Sequence, residues 1–240
     1  MTEAEPARQR AATGASLLDE AGHAATVLPR HRHGLTRDEV RQSQETRVQV
    51  ATVEVVAEHG YAGASVRQIA SRAGISTKTF YELYPDKEAA FLATYAAVDL
   101  LVEWMRDAAA IATTAAEVIE AGARTYLGTL ASQPAFTQSL VIEAVASTDR
   151  IRARRSQGLA DFAGVLVQHL RRVRGAAGPD PAPTSSDRAL LVGALGGVNE
   201  LVVQHLGSAS VATLLDILDM ARILLERIVL TPAERSPIAL

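Results

Sequence analysis

The amino-acid sequence predicts an all-α protein, and three observations support this fold class. Aromatic residues make up only 4% and charged residues 21% of the 240-residue chain, while Ala, Val and Leu are abundant; this balance favours a water-soluble helical protein. Apolar residues recur at helical spacing, and no stretch of any length alternates as a half-buried strand would. Ser, Thr and Asp stand repeatedly where a helix N-terminus needs a cap.

The first predicted helix follows an N-terminal extension, residues 1–35, that is poor in large apolar side chains. Such a composition is typical of a flexible segment. Thr36 and Glu39 have capping-box spacing, which predicts that the helix begins after Thr36. Apolar residues then recur at helical spacing until Gly60 and Tyr61. We expect one long helix here, or two abutting helices.

Two short helices joined by a tight turn come next. Ser65 opens a second capping-box pattern, and Gly74 suits the positive-φ position that ends the helix. Ser76 can cap the following helix, and Pro85 bars its continuation. The three helical patterns therefore predict a helix-turn-helix at about 65–84.

The chain divides into three predicted parts. An extension at 1–35 precedes a three-helix domain at 36–86, and a larger helical domain occupies 87–240. Helical patterns of this larger domain lie near 87–110, 115–131, 134–146, 149–174, 186–206 and 210–230, and residues 175–186 have the composition of a loop.

The third helix of the N-terminal domain carries side chains suited to DNA. A helix-turn-helix places its second helix in the major groove, where lysine and hydroxyl groups contact base edges or phosphates. The N-terminus of the preceding helix adds backbone amides that suit a phosphate. The predicted DNA-binding residues are Arg47, Ser65, Val66, Arg67, Ser76, Thr77, Lys78, Thr79, Tyr81, Tyr84 and Lys87.

This segment resembles the DNA-binding domain of the tetracycline-repressor (TetR) family of bacterial transcription regulators. The resemblance covers about fifty residues and depends on the order and spacing of Ala57-Glu58-His59-Gly60-Tyr61, Ser65-Val66 with Ile69-Ala70, Ala73-Gly74-Ile75-Ser76, Thr79-Phe80-Tyr81 and Asp86-Lys87-Glu88. It implies a dimeric regulator that binds a palindromic double-stranded operator and releases it on binding a small molecule. Repression is favoured over activation because the family mostly represses. Tyr84 departs from the Phe usual in the family.

A basic arm precedes and overlaps the first helix. Arg30 and Arg32 would enter a neighbouring minor groove, and Arg37 and Arg41 share a helix face that could reach phosphates. A solvated tail that improves solubility is the alternative. His31 and His33 could suggest a metal pair, but two ligands in a flexible tail make a poor site, so we expect no metal.

The last two helices are predicted to form a homodimer interface. Reading two half-sites requires a dimer, and residues at 4-3-4-3 spacing form the stripe of a helix packed along a partner. A glycine cluster in the preceding helix indicates close backbone approach. The residues are Gly193, Gly196, Gly197, Leu214, Leu218, Ala221, Leu225 and Ile228. Ordinary packing within one chain is the alternative.

Aromatic residues scattered over the larger domain suggest a cavity for the unidentified effector. The candidates are Tyr95, Trp104, Tyr126, Phe136 and Phe162, with Glu143 and His169 as polar partners. For each of them, core packing or a solvated surface is the alternative.

Composition excludes several other classes of function. The chain has no cysteine, so it can have no disulfide, thiolate metal site or cysteine nucleophile. No phosphate-binding glycine loop, nucleophile motif or metal cluster is present, and we expect neither an enzyme nor a cofactor. No secretory signal is visible, and charge interrupts the apolar stretches, so we expect a cytoplasmic protein outside the membrane. The alternative function is a helical adaptor without sequence-specific DNA binding.

Overall fold

The computed structural model describes residues 36–175 and 185–235, and within these ranges the chain is helical without any strand. This confirms the predicted all-α class. The α-helices in chain order are α1 (Arg37–Gly63), α2 (Val66–Arg72), α3 (Thr77–Leu83), α4 (Lys87–Ala93), α5 (Ala96–Ala110), α6 (Ala115–Ser132), α7 (Pro134–Phe136), α8 (Asp149–Val173), α9 (Ser185–Leu206) and α10 (Leu218–Val229).

Helix α1 begins where the sequence predicts. The Thr36 hydroxyl accepts the Glu39 amide at 3.2 Å, and the Glu39 carboxylate accepts the Thr36 amide at 2.6 Å. Gly60 then leaves helical geometry at φ 70° and ψ 160°. A final short turn ends at Ala64, whose amide donates to the Gly60 carbonyl. The predicted stop at Gly60 and Tyr61 is therefore a sharp kink near the end of α1.

Three predicted helices are less regular than expected. The pattern at 87–110 is interrupted between α4 and α5, where Thr94 donates its hydroxyl to the Phe91 carbonyl at 2.6 Å. The pattern at 134–146 is only briefly α-helical. It continues as a π-helical segment, Thr137–Ile142, and a 3₁₀ turn, Glu143–Ala146. The pattern at 210–230 begins as a 3₁₀ segment, Val211–Ile217, before α10.

The described residues form two compact units that are not continuous in sequence. The first contains 36–100 together with 135–155, and the second contains 101–134, 156–175 and 185–235. Helices α5 and α8 each contribute residues to both units. We call them the head unit and the cavity unit below.

One described helix is long and apolar enough to cross a membrane, contrary to the expectation from charge. This is the stretch Ala189–Leu206 of α9, one third of which is buried. Its only carboxylate is Glu200. A single such helix is weak evidence, because the core helix of a soluble protein meets the same criteria.

Candidate nucleic-acid interface and apolar cavity

Helices α2 and α3 cross on a small apolar core in the head unit. Ile69 and Phe80 are fully buried, and Ala70 keeps only 1% of its surface. Gly74 lies between the helices at φ 66°, a conformation that costs glycine little. The Ser65 hydroxyl caps α2, and the Ser76 hydroxyl accepts the Thr79 amide at 3.0 Å to cap α3. These local interactions build the predicted helix-turn-helix.

The exposed face of α3 carries side chains available to DNA. Thr77 and Lys78 are exposed, and 58% of Tyr81 is accessible. Lys78 lies 4.0 Å from Glu82 with its side chain 88% exposed, so this ion pair is loose. Thr79 is half-buried and already engages the Ser76 hydroxyl. The face therefore offers a mobile cation, a hydroxyl and an exposed phenol.

Arg47 holds the turn instead of reaching outward. Its guanidinium donates to the Ala73 carbonyl at 2.9 Å, and its Nε is buried. A Cβ at Gly74 would lie 3.5 Å from the same guanidinium. The guanidinium therefore links α1 to the turn before α3, and the contact of Arg47 with DNA stays a prediction.

Lys87 is also drawn into the fold. Its ammonium donates to the carbonyls of Tyr61 and Ala64 at 2.7 and 2.8 Å, and lies 4.6 Å from the centroid of the Tyr61 ring. Burial lowers the pKa of the Lys87 ammonium. Lys87 thus caps the end of α1, and its contact with DNA stays a prediction.

Tyr84 is half-buried, with its hydroxyl accepting a hydrogen bond from the Gln49 amide at 3.1 Å. Burial raises the pKa of the Tyr84 phenol. Its ring lies 6.0 Å from that of Phe80. This predicted contact residue therefore helps to attach α3 to α1, and the partner, Gln49, was not among the predicted site residues.

The remaining predicted DNA contacts lie at helix starts. Arg67 is exposed in the first turn of α2, and Val66 is half-buried. Arg37 is exposed, whereas Arg41 pairs with Glu45 at 2.9 Å. Arg30 and Arg32 lie outside the described residues.

The cavity unit contains an apolar pocket that is partly open to solvent. Helices α5, α6, α8, α9 and α10 contribute to its walls. The lining residues are Met105, Gly122, Ala123, Tyr126, Leu159, Phe162, Leu166, Leu195, Val198, Asn199 and Leu225. The Tyr126 hydroxyl donates to the carboxamide oxygen of buried Asn199. No lining side chain is ionised at neutral pH, so the pocket suits an uncharged group.

The predicted cavity residues divide between the two units. Tyr126 and Phe162 line the pocket, with ring centroids 5.7 Å apart. Trp104 and His169 are buried in the cavity unit without lining it; neither ring nitrogen of His169 has a partner, and burial lowers its pKa.

Tyr95, Phe136 and Glu143 belong to the head unit and do not line this pocket. Tyr95 and Phe136 are 2% and 4% exposed. The Glu143 carboxylate accepts a hydrogen bond from the Tyr61 amide at 3.3 Å. Scattered aromatic residues indicate burial but do not show which core receives them.

The predicted dimer stripe lies largely inside this chain. Leu214, Leu218, Ala221 and Leu225 are between 0% and 7% exposed, and so are covered without a partner. This favours the alternative of packing within one chain, because apolar spacing predicts a buried face but not which chain buries it. Ile228 is 43% exposed and remains available.

Two of the three predicted interface glycines face open space. A Cβ at Gly193 or Gly196 would meet nothing within 4 Å, whereas a Cβ at Gly197 would lie 3.0 Å from Leu224. Gly197 therefore serves the packing of α9 on α10. Large apolar side chains exposed on and beside these helices are Leu190, Val203, Leu215, Met220 and Ile228.

Comparison with known proteins matches the N-terminal part of the chain to a described family. The sequence model of "Bacterial regulatory proteins, tetR family" matches residues 50–94. These residues contain most of α1, all of α2 and α3, and α4. Residues 50–94 are a tetR-family domain. The family predicted from motif order and spacing is thus confirmed.

The fold beyond the tetR-family domain resembles that of solved regulators. The fatty acid degradation regulator FadR from Bacillus halodurans shares 22% identity at a TM-score of 0.63, with 76% of this chain and 94% of that chain covered. FadR from Bacillus subtilis, solved in complex with stearoyl-CoA, shares 19% identity at a TM-score of 0.62, with coverages of 75% and 96%.

A TetR transcriptional regulator from Rhodococcus sp. RHA1 shares 15% identity at a TM-score of 0.58 and covers 82% of this chain and 100% of its own. No curated protein sequence matches the chain. At these identities the likeness establishes the fold, with a helical C-terminal part after the tetR-family domain.

Proposed function

We propose that this protein is a cytoplasmic transcriptional repressor that binds a palindromic operator as a homodimer and releases it when a small molecule fills the apolar cavity. The observation that supports it most is the coincidence of the tetR-family match with the exposed polar face of α3. A helix-turn-helix reads DNA through this face. A helical adaptor without DNA binding would leave the exposed polar side chains of Thr77, Lys78 and Tyr81 without a function.

Operator binding is tested by footprinting the full-length protein on DNA upstream of its own gene. We expect protection of two half-sites about one helical turn apart or a multiple of it. Thr77→Ala and Tyr81→Ala should each weaken the protection of the operator. Arg124→Ala is the matched control, since Arg124 is exposed in the cavity unit and pairs with Glu120 on its own helix. Absence of any protected site on genome-wide mapping would support the adaptor function instead.

The proposed dimer surface is the exposed apolar side of α9 and α10. Met220 and Ile228 are 56% and 43% exposed, and the open positions at Gly193 and Gly196 allow a second backbone to approach closely. Exposed apolar patches of this kind mark interaction sites. The same surface accounts for the apolar character of α9 without a membrane.

Light scattering tests the dimer. The chain mass is 25.5 kDa, and the wild-type protein should have twice this mass. Met220→Glu should lower the mass towards that of one chain and weaken operator binding. Ile111→Glu is the control, because Ile111 is also 56% exposed but lies on neither α9 nor α10. Equal effects of the two substitutions would place the interface elsewhere.

The proposed effector has an uncharged, apolar portion with one hydrogen-bonding group that reaches Tyr126 and Asn199. The Bacillus subtilis FadR neighbour binds stearoyl-CoA, and an acyl chain has the apolar character that this lining requires. Charged groups would have to remain outside, because burying an unpaired charge is costly.

Decan-1-ol and decylammonium form a matched pair of probes. We expect decan-1-ol to raise the melting temperature more. Gly122→Leu should abolish the shift, since a Cβ at Gly122 already contacts Leu166 and Met105 at 3.5 and 3.6 Å. Gly128→Leu, on the same helix with no atom within 4 Å of its Cβ, should retain it. An equal shift with both probes would contradict the uncharged pocket.

A further inference from the structure

The segment 137–146 packs on α1 inside the head unit, although it lies far from α1 in sequence. Thr137, Leu140 and Ala144 are between 0% and 4% exposed, so this side of the segment is fully used in packing. Its first part, Thr137–Ile142, is π-helical. A π-turn is rare and occurs frequently at functional sites. The π-turn therefore makes segment 137–146 a candidate functional element as well as a packing element.

Glu143 brings a carboxylate onto the kink of α1. Its Oε2 accepts the Tyr61 amide at 3.3 Å. A Cβ built on Gly60 would lie 3.1 Å from the same oxygen. The absence of a side chain at residue 60, together with its φ of 70°, lets the carboxylate approach the backbone here. The missing side chain and the positive φ of Gly60 therefore both allow the Glu143 carboxylate to approach the kink.

The π-turn aligns Glu143 with a side chain that orients it. The Glu143 amide donates to the Gln138 carbonyl, five residues earlier. The Gln138 carboxamide donates to Glu143 Oε1 at 3.3 Å, which leaves Oε2 for Tyr61. On a regular α-helix the neighbouring side chains are three or four residues apart, and residues five apart do not share a face. The pairing therefore depends on the π-turn.

Both backbone groups of Tyr61 are held by charged side chains. The amide donates to the Glu143 carboxylate, and the carbonyl accepts from the Lys87 ammonium at 2.7 Å. Ser65, the first residue of the helix-turn-helix, is only four positions further along the chain. Tyr61 is therefore anchored at both backbone groups shortly before the start of α2.

We propose that Glu143 is a positioning residue for DNA binding: it fixes the kink at Gly60 and Tyr61, and the π-turn of 137–142 holds Glu143 in the orientation that this requires. The inference rests on the proposed function. Conversion of the π-turn to a regular α-turn would rotate Glu143 away from Gln138 and release the Tyr61 amide. The helix-turn-helix would then sample more orientations, and the binding-competent fraction would fall.

The experiment uses the full-length dimer and two readouts. In Glu143→Ala, hydrogen exchange of the Tyr61 amide should accelerate, and operator affinity measured by fluorescence anisotropy should fall about tenfold, the order expected for one charge-assisted hydrogen bond. Glu143→Gln keeps an acceptor oxygen and should recover part of both effects. Val145→Ala is the matched control, because Val145 is 54% exposed in the same 3₁₀ turn.

Gln138→Ala is a second test that remains usable if Glu143→Ala does not fold. It leaves Glu143 in place and removes only the hydrogen bond that orients its carboxylate. It should shift both readouts in the same direction by a smaller factor. Unchanged Tyr61 exchange, or faster exchange with operator affinity within about twofold of wild type, would overturn the inference while leaving the proposed function intact. A wild-type protein that binds no operator would instead overturn the proposed function, and this inference with it.

Discussion

Substituting Gly60 with alanine should destabilise the protein by an amount that the backbone geometry sets. Gly60 lies at φ 70° and ψ 160°, a region that residues with a Cβ rarely occupy. Forcing alanine into it costs about 1–3 kcal/mol. The new Cβ would also lie 3.1 Å from the Glu143 carboxylate, which must then move away from the Tyr61 amide. Losing that hydrogen bond adds about 1 kcal/mol.

The expected total is a loss of about 2–4 kcal/mol in the free energy of unfolding. Urea denaturation followed by circular dichroism measures it, at one protein concentration because a dimer's stability depends on concentration. Gly63→Ala is the control, since a Cβ there makes an ordinary 3.6 Å contact with His59. This control should be neutral or gain about 0.5–1 kcal/mol. A Gly60→Ala protein within about 0.5 kcal/mol of wild type would refute the reasoning.

Four further predictions concern the head unit and one ion pair. Phe80→Ala should cost about 3–5 kcal/mol in urea denaturation, because Phe80 is fully buried between α2 and α3; a loss below about 1 kcal/mol would contradict this packing. Arg47→Met should lower the melting temperature while the exposed face of α3 is unchanged, and an unaltered melting curve would show that the bond to the turn is dispensable. Lys78→Ala should reduce the salt dependence of operator binding by about one unit of slope, and an unchanged slope in a salt titration would exclude a phosphate contact. Arg174 lowers the pKa of Glu234 to about 2, so the stability that Glu234 contributes is full above the ordinary carboxyl pKa and is lost as pH falls from about 4.5 to about 2; a Glu234→Gln protein with the wild-type pH profile of melting in that range would contradict this.

Features encoded by adjacent residues were predictable from the sequence. The caps at Thr36, Ser65 and Ser76 depend on residues three positions away, and all three occur as expected. The positive φ at Gly74 follows from the need to turn between two helices. Because these local features keep a fixed order and spacing along the chain, they are sufficient to indicate the family.

Features that depend on distant contacts were not predictable. Lys87 and Arg47 are cationic residues of the kind that contact phosphates, yet each donates to a carbonyl 26 residues away in sequence. The residue pattern of Thr137–Ile142 does not predict a π-helix. The wider π-helical turn packs on α1, which is distant in sequence. The apolar stripe containing Leu214 and Leu225 predicted burial correctly but not the chain that provides it.

The discontinuous head unit has a consequence for hybrid regulators. A chimera that joins residues 36–100 to the C-terminal part of another regulator would omit 135–155, which belong to the same compact unit. The grafted head would then lack the Glu143 carboxylate that accepts the Tyr61 amide. It would also lack the packing of Leu140 and Ala144 on α1. A modular exchange of sensors would have to carry this second stretch along with the first, so the natural recombination unit is a pair of segments.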